Sequence, residues 1–222
     1  VTAPLLFSVQ VGLLAALLGL GPAVGIGWWL ARTRSPWRPL VTTAVLLPLV
    51  LPPVVTGWLL LALLGRRSLV GGALDALGLG VPFTPTAAVI AAVVVGLPLY
   101  VMSARAAFEA VDPRLEELSA SLGDRPWVTF RRVTLPLAAP GLAGGAVLAF
   151  ARALGELGAT LVLAGNTEGA RTLSLAVYAL LDAPDGEART VPLVLASVGL
   201  SLLSLLGYEA LLAAQRRRLD DG

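Results

Sequence analysis

The stretch ELSASLGDRPWVTFRRVTLP, Glu117–Pro136, is charged and amphipathic, yet it lies between two uncharged apolar runs, Thr86–Ala104 and Leu137–Ala151. A membrane chain that keeps such a segment in water presents it to something, so the segment reads as a docking loop. Its limits are written in helix signals. Asp112-Pro113 supplies an N-cap and a first helical proline, Glu116 and Glu117 follow near the positive end of the helix dipole, and Gly123 is a natural stop. Leu115, Leu118 and Leu122 fall at i, i+3 and i+7 and make one apolar stripe. After Gly123, Asp124 can cap a second short helix that shows Trp127 and Phe130 on one side. Periodicity alone leaves two readings open, helices lying on a lipid surface or helices docking on a protein.

Composition sets the class. Hydrophobic residues make up 57% and charged residues 14% of the 222, and the mean hydropathy is +0.85, which describes an integral membrane protein. The length allows about five or six helices of ~20 residues, the number needed to cross a hydrocarbon core of ~30 Å, in one membrane domain covering residues 1–222. There is no Cys and no His, which excludes thiolate or imidazole metal sites, disulfides and Ser/His or Cys/His catalysis. All 16 basic residues are Arg, so no GxxxxGK[ST] phosphate loop exists here, and any ATPase must be another chain. The net charge of +2 reflects Arg placement around the spans and not affinity for nucleic acid.

Five apolar runs follow along the chain. Leu5–Leu30 contains Gly21-Pro22, has no basic residue before it, and reads as a retained span and not a secretory signal. Leu40–Leu64 carries Pro48, Pro52 and Pro53, which predicts a second span facing protein, where neighbours satisfy the freed carbonyls. A Gly/Pro-rich connection, Gly65–Pro85, with a short helix around Leu69–Leu77, leads to the third run, Thr86–Ala104. The fourth runs from Leu137 to about Ala164, with Pro136 and Pro140 at its start, and the last is Val191–Ala214. Thr172–Leu181 is too short to span and is expected as a short helix on the outer side. Gly21-x-x-x-Gly25 and Gly141-x-x-x-Gly145 each permit close helix approach.

Arginines orient the spans. Residues 31–39, 105–136 and 215–222 hold Arg32, Arg34, Arg38, Arg105, Arg114, Arg125, Arg131, Arg132, Arg216, Arg217 and Arg218, against Arg66, Arg67, Arg171 and Arg189 on the other side. The bias places the first set in the cytoplasm, with five crossings, the N-terminus outside and the C-terminus inside.

The loop around 105–136 resembles the cytoplasmic loop of binding-protein-dependent ABC importer permeases, whose pattern is Glu-Ala-Ala, three residues, Gly, nine residues, Ile, any residue, Leu-Pro. Glu117, Gly123, Val133, Leu135 and Pro136 match it in spacing, with Leu118 and Ser119 in place of the alanines and Val133 in place of Ile. LPLVLPPVVTGWLLL (Leu47–Leu61), LGRRSLVG (Leu64–Gly71), FARALGELGATLVLAGN (Phe150–Asn166) and RTLSLAVYALLDAPDGE (Arg171–Glu187) resemble permeases of molybdate-type importers; sulfate permeases are similar through the Leu-Gly-Glu segment.

The resemblance implies an all-α polytopic helix bundle of the type I ABC importer permease fold, with five spans, cytoplasmic coupling helices and a short outer helix. It implies an inner-membrane permease that passes molybdate, or tungstate or sulfate, as a pair of copies. The expected partners are an ABC-type ATPase subunit, which would use the ATP and Mg, and an external anion-binding protein; this chain would bind no cofactor. Asp112, Leu115, Glu117, Leu118, Leu122 and Gly123 are then the expected ATPase-coupling residues.

Arg152 and Glu156 stand four apart in the fourth run, able to pair along one helix face, and intramembrane ionisable groups usually face an interior or a water-filled path. With Asn166 they are the candidate pathway or gating residues for a tetrahedral anion. A proton-coupled carrier has thin support, since Glu156 is the only acid clearly within a span. An intramembrane enzyme has less, with no buried acid–base pair available.

Overall fold

A computed structural model describes residues 2–167, 171–181, 183 and 186–220. Every regular element among them is helical: α1 (Thr2–Arg32), α2 (Arg38–Val50), α3 (Pro53–Leu64), α4 (Leu69–Ala76), α5 (Pro85–Glu109), α6 (Pro113–Ser121), α7 (Pro126–Thr129), a π-turn (Phe130–Thr134), α8 (Leu135–Leu154), α9 (Gly158–Ala164), α10 (Leu173–Leu180) and α11 (Gly186–Asp220). Part of the family-like run Arg171–Glu187 lies outside the described residues. So do the side chains of Arg216, Arg217 and Arg218.

The bundle is organised around α5, because α5 is lined with small residues. Ala87, Ala88, Ala91, Ala92, Val95, Val101 and Ala104 are all buried. Between helices surrounded by lipid there is little hydrophobic driving force, so close backbone approach at small residues must hold them together. α1 meets α5 where a Cβ on Gly27 would come within 2.7 Å of the Ala104 Cβ. α8 meets it at Gly141, where the Ala107 Cβ lies 2.6 Å from such an atom, and at Gly145, 2.9 Å from the Tyr100 ring. The opposite edge of that ring lies 3.4 Å from a Cβ built on Gly19 of α1. Of the two expected small-residue pairs, Gly141 and Gly145 are thus at a crossing. Among the described residues nothing lies within 4 Å of the Cβ that Gly21 and Gly25 lack, so they pack none of the helices described.

Among the described residues four helices are long and apolar enough to cross a membrane: α1, α5, the continuous helix Pro126–Leu154, and α11. The fifth expected crossing, Leu40–Leu64, is not a straight span. α2 and α3 are bent by 114° at a break between Val50 and Pro53. Pro52 and Pro53 bring no N–H, and a proline forces the residue before it out of the α region; Leu51 accordingly has ψ 142° and Pro52 ψ 133°. The bent pair nevertheless joins the two ends of α5. Arg38 bonds Glu109 at 3.0 Å at one end, and Leu60, Leu61 and Leu64 pack against the cluster holding Ala87 and Ala88 at the other. Within one chain this run faces protein on one side only: Val41, Val45, Leu60, Leu61 and Leu64 pack against the core, while α2 buries no residue fully and α3 only Thr56 and Gly57.

The fourth run is also broken. α8 stops at Leu154, and α9 begins at Gly158, with three residues between them. The run begins earlier than Leu137 as well, because α7, the π-turn and α8 are continuous from Pro126, which puts Pro136 and Pro140 inside the helix and not at its start. The short helices form where the sequence places them. Ser68 caps α4 by accepting from the Gly71 N–H at 2.9 Å, and Thr172 caps α10 by accepting from the Leu175 N–H at 3.3 Å.

Candidate functional site

α6 is built as the capping signals require. The Asp112 carboxylate accepts from the Arg114 N–H at 2.9 Å, and Pro113 opens the helix. At the other end the Asp124 N–H bonds the Ser119 carbonyl at 3.2 Å and the Gly123 N–H bonds the Ala120 carbonyl at 3.0 Å, with Gly123 at φ +90°. That is a Schellman ending, and only glycine takes that φ without strain. Such endings usually bring together two apolar residues at the positions of Ser119 and Asp124. Here the pair is polar, and the Ser119 hydroxyl donates to the Asp124 carboxylate at 2.9 Å. Asp124 therefore closes α6 and does not cap the next helix; α7 has Arg125 at its N-cap and no side-chain cap.

The two faces of α6 differ. Leu115, Leu118 and Leu122 are 42%, 58% and 80% exposed, and Glu117 is exposed with them. Trp127, 67% exposed, continues this surface and stacks on Phe130 at 5.7 Å. The opposite face is bound to the bundle. Glu116 accepts from the Arg32 guanidinium at the end of α1 at 2.8 Å and from the Thr134 hydroxyl at 2.7 Å. Ser119, buried, lies 3.0 Å from the Thr129 hydroxyl. Trp28 of α1 meets Phe130 edge-on at 5.5 Å and closes the space beneath. A small cleft of about 260 Å³ remains there, lined by Trp28, Glu116, Asp124, Thr129 and Thr134. Nearby, Glu109 accepts from both Arg105 (2.8 Å) and Arg38 (3.0 Å), so the polar end of the bundle is cross-linked across α2 and α5 as well.

Sequence spacing singles out Glu117, whereas the structure ties down its neighbour Glu116. Arg32 enters the sequence reading only through orientation and Ser119 only as a departure from the family pattern, and nothing there marks Thr129 or Thr134. The one signal present was Glu116 in the first turn of α6, which by itself says only that the dipole favours it.

The pathway candidates separate. Arg152 and Glu156 do pair, at 3.1 Å, but not along one helix, because the break after Leu154 falls between them. Glu156 is 2% exposed, and its second oxygen accepts from the Ala159 N–H at 2.7 Å, at the start of α9. The junction lies against the break in the other bent element. A Cβ on Gly158 would stand 2.8 Å from Pro53, and one on Gly57 would stand 2.7 Å from the Ala159 Cα. Two interrupted helices thus abut where both sequences place glycine. The Ser174 hydroxyl donates to the Leu154 carbonyl at 3.1 Å and satisfies the end of α8. Asn166 does not join this group; its side-chain oxygen accepts from Arg171 at 2.7 Å beyond α9. Among the described residues no cluster of acidic side chains could hold a metal ion.

Comparison with known proteins gives this arrangement its relatives. Residues 23–219 match the family described as binding-protein-dependent transport system inner membrane component. The chain is 42% identical over 215 residues to the molybdenum transport system permease protein ModB of Escherichia coli K12, covering 96% of this chain and 94% of that one. It is 40% identical over 217 residues to the ModB protein of Haemophilus influenzae, covering 97% and 95%. Among solved structures it resembles a chain of the inward-facing MetNI methionine ABC transporter, with a TM-score of 0.71 at 18% identity over 96% of this chain and 94% of that one. A bacterial ABC transporter that imports the acidic polysaccharide alginate gives 0.68 at 20% identity over 97% and 79%. These two likenesses bear on the fold, an all-α ABC importer permease architecture. With the family matched across most of its length and the helices arranged as in these permeases, the chain belongs to the binding-protein-dependent transport system inner membrane component family.

Proposed function

We propose that this chain is the permease subunit of an ATP-driven importer of molybdate. The carrying observation is that the likeness to molybdenum permeases runs through nearly the whole chain, α6 and the Arg152–Glu156 junction included. In this reading two copies form the pathway, an external binding protein delivers the anion, and each copy seats Leu115, Leu118 and Leu122, with Glu117, in a groove of an ABC-type ATPase subunit. Asp112 and Gly123 fix the length of the seated helix. ATP and Mg are used by that partner. The chain's own contribution is movement between two packings and not bond chemistry. The Arg-rich end that carries α6 is cytoplasmic, the N-terminus is outside and the C-terminus is inside, as the arginine distribution favours.

Arg152 and Glu156 serve as a gating pair. A half-neutralised arginine attracts a dianion without trapping it, and the two abutting helix breaks provide a place for rearrangement. Asn166, held by Arg171 beyond α9, would in this orientation stand on the outer side of that pair.

The deciding experiment is uptake by the complex reconstituted in proteoliposomes. ATP-dependent, binding-protein-dependent accumulation of labelled molybdate is expected; equal or preferential accumulation of sulfate or tungstate would reassign the cargo, and uptake driven by a proton gradient without ATP would overturn the reading. Orientation is tested separately. Because the chain has no cysteine, Trp127→Cys and Arg131→Cys are clean single-site reporters. An impermeant maleimide added outside intact cells should label neither, and labelling of either reverses the topology.

A further inference from the structure

The π-turn at Phe130–Thr134 has a geometric effect on α6. The Leu135 N–H closes it onto the Phe130 carbonyl, an i to i+5 bond. Such turns are rare and concentrate at functional positions. Thr129 and Thr134 are five residues apart. On an α-helix of 3.6 residues per turn that separation turns side chains about 140° apart, so a neighbouring helix could meet only one of them. A ring that closes in five residues turns both toward the same side. On α6, Glu116 and Ser119 are three apart and share a face. The result is two side-by-side bonds between α6 and this helix, Ser119 with Thr129 at 3.0 Å and Thr134 with Glu116 at 2.7 Å. The Arg32–Glu116 pair at 2.8 Å adds α1. Glu117, one residue on, makes no side-chain hydrogen bond among the described residues.

We infer that this clasp is a positioning device, in which Glu116 and the π-turn make α6 one body with α1 and α8. A partner that displaces α6 then moves membrane helices; without the clasp, α6 would swing about its short connections, residues 110–112 and 122–125, and the displacement would be lost in the loop. The inference rests on the reading of α6 as the ATPase-docking helix. It goes beyond that reading by assigning transmission to Glu116, which lies on the face turned away from the docking surface.

The test uses the complete complex in proteoliposomes, with ATP hydrolysis and molybdate uptake measured on the same vesicles. Glu116→Gln, Thr134→Val and the exchange Arg32→Glu with Glu116→Arg are compared with the parent. The ATPase should remain bound in all three, since the outer face of α6 is unchanged, and ATP should still be hydrolysed. Molybdate carried per ATP should fall about five-fold in Glu116→Gln and about two-fold in Thr134→Val, and the exchange should recover at least half of the parent ratio. A role confined to folding would lower yield and melting temperature and leave that ratio alone. Thr134→Val preserves shape, so it decides the matter if Glu116→Gln is not recovered folded. An unchanged ratio in every recovered variant with the ATPase bound overturns the clasp and leaves the docking reading intact. A parent chain that binds no ATPase overturns the docking reading, and the clasp with it.

Discussion

Glu116 and Glu156 are both held by an arginine, at 2.8 Å and 3.1 Å, and both accept a second hydrogen bond. Their partners differ. Arg32 and Thr134 are 84 and 18 residues from Glu116 and belong to other helices, so that carboxylate fastens separate elements together. Arg152 and Ala159 are four and three residues from Glu156, so the second carboxylate fastens only the local α8–α9 junction in which it sits. Burial runs the other way. Glu156 is 2% exposed at its side chain, whereas Glu116 is 24% exposed and reaches water. The junction carboxylate should therefore matter more to stability than to transmission, and the α6 carboxylate the reverse.

The sharpest attack on that contrast is Arg152→Met, which leaves a buried carboxylate uncompensated. It should cost about 3 kcal/mol, the low end for breaking a buried pair because Arg152 keeps some exposure. Thermal unfolding in detergent measures the loss, and adding Glu156→Gln should return most of it; a neutral Arg152→Met would mean that water reaches Glu156. In function, Arg152→Gln should lower uptake with the ATPase still attached.

Next comes Gly145→Val, where a Cβ would already stand 2.8 Å from Ser103 and 2.9 Å from Tyr100. About 2 kcal/mol is expected for overpacking at a helix crossing, against near neutrality for Gly25→Ala, where the space is open within one chain. Equal losses at the two glycines would mean that a second copy covers Gly25.

Glu116→Gln should be milder, about 1 kcal/mol, because the exposed part of the pair is screened by water and the amide keeps one hydrogen bond. Its signature lies in the ratio of transport to hydrolysis. A stability loss as large as that of Arg152→Met would erase the distinction between the two carboxylates. Smallest of all is Leu122→Asp, within about 0.5 kcal/mol because the side chain is 80% exposed. Co-purification of the ATPase should nevertheless be lost; retention would remove the leucine stripe from the docking surface.

What could be read from the chain followed the range of the interaction. Asp112-Pro113 and Gly123 act through hydrogen bonds within a few residues, and the structure places α6 between them. Pro52-Pro53 announced a disturbance, but no local pattern encodes the 114° size of the bend or the seating of α3 on α9 at Gly57. The break after Leu154 was marked only by Gly155 and Gly158, which a membrane helix also tolerates, and with no proline there a continuous helix looked equally satisfied. Thr129 and Thr134 were passed over for a related reason. Five residues is not a helical repeat, and only the π-turn makes it one. Glu117 drew attention in place of Glu116 because a spacing pattern marks a position, whereas the tie to Arg32 exists only after α1 and α6 have met.

The Tyr100 ring, wedged between Gly19 on one side and Gly145 on the other, constrains how the chain can drift over time. A Cβ at 145 would overlap the ring, whereas one at 19 would only touch it at 3.4 Å, and shrinking the ring alone leaves a hole facing two helices. A side chain at 145 therefore needs a smaller residue at 100 first, which ties these two positions, on different helices, to one order of change.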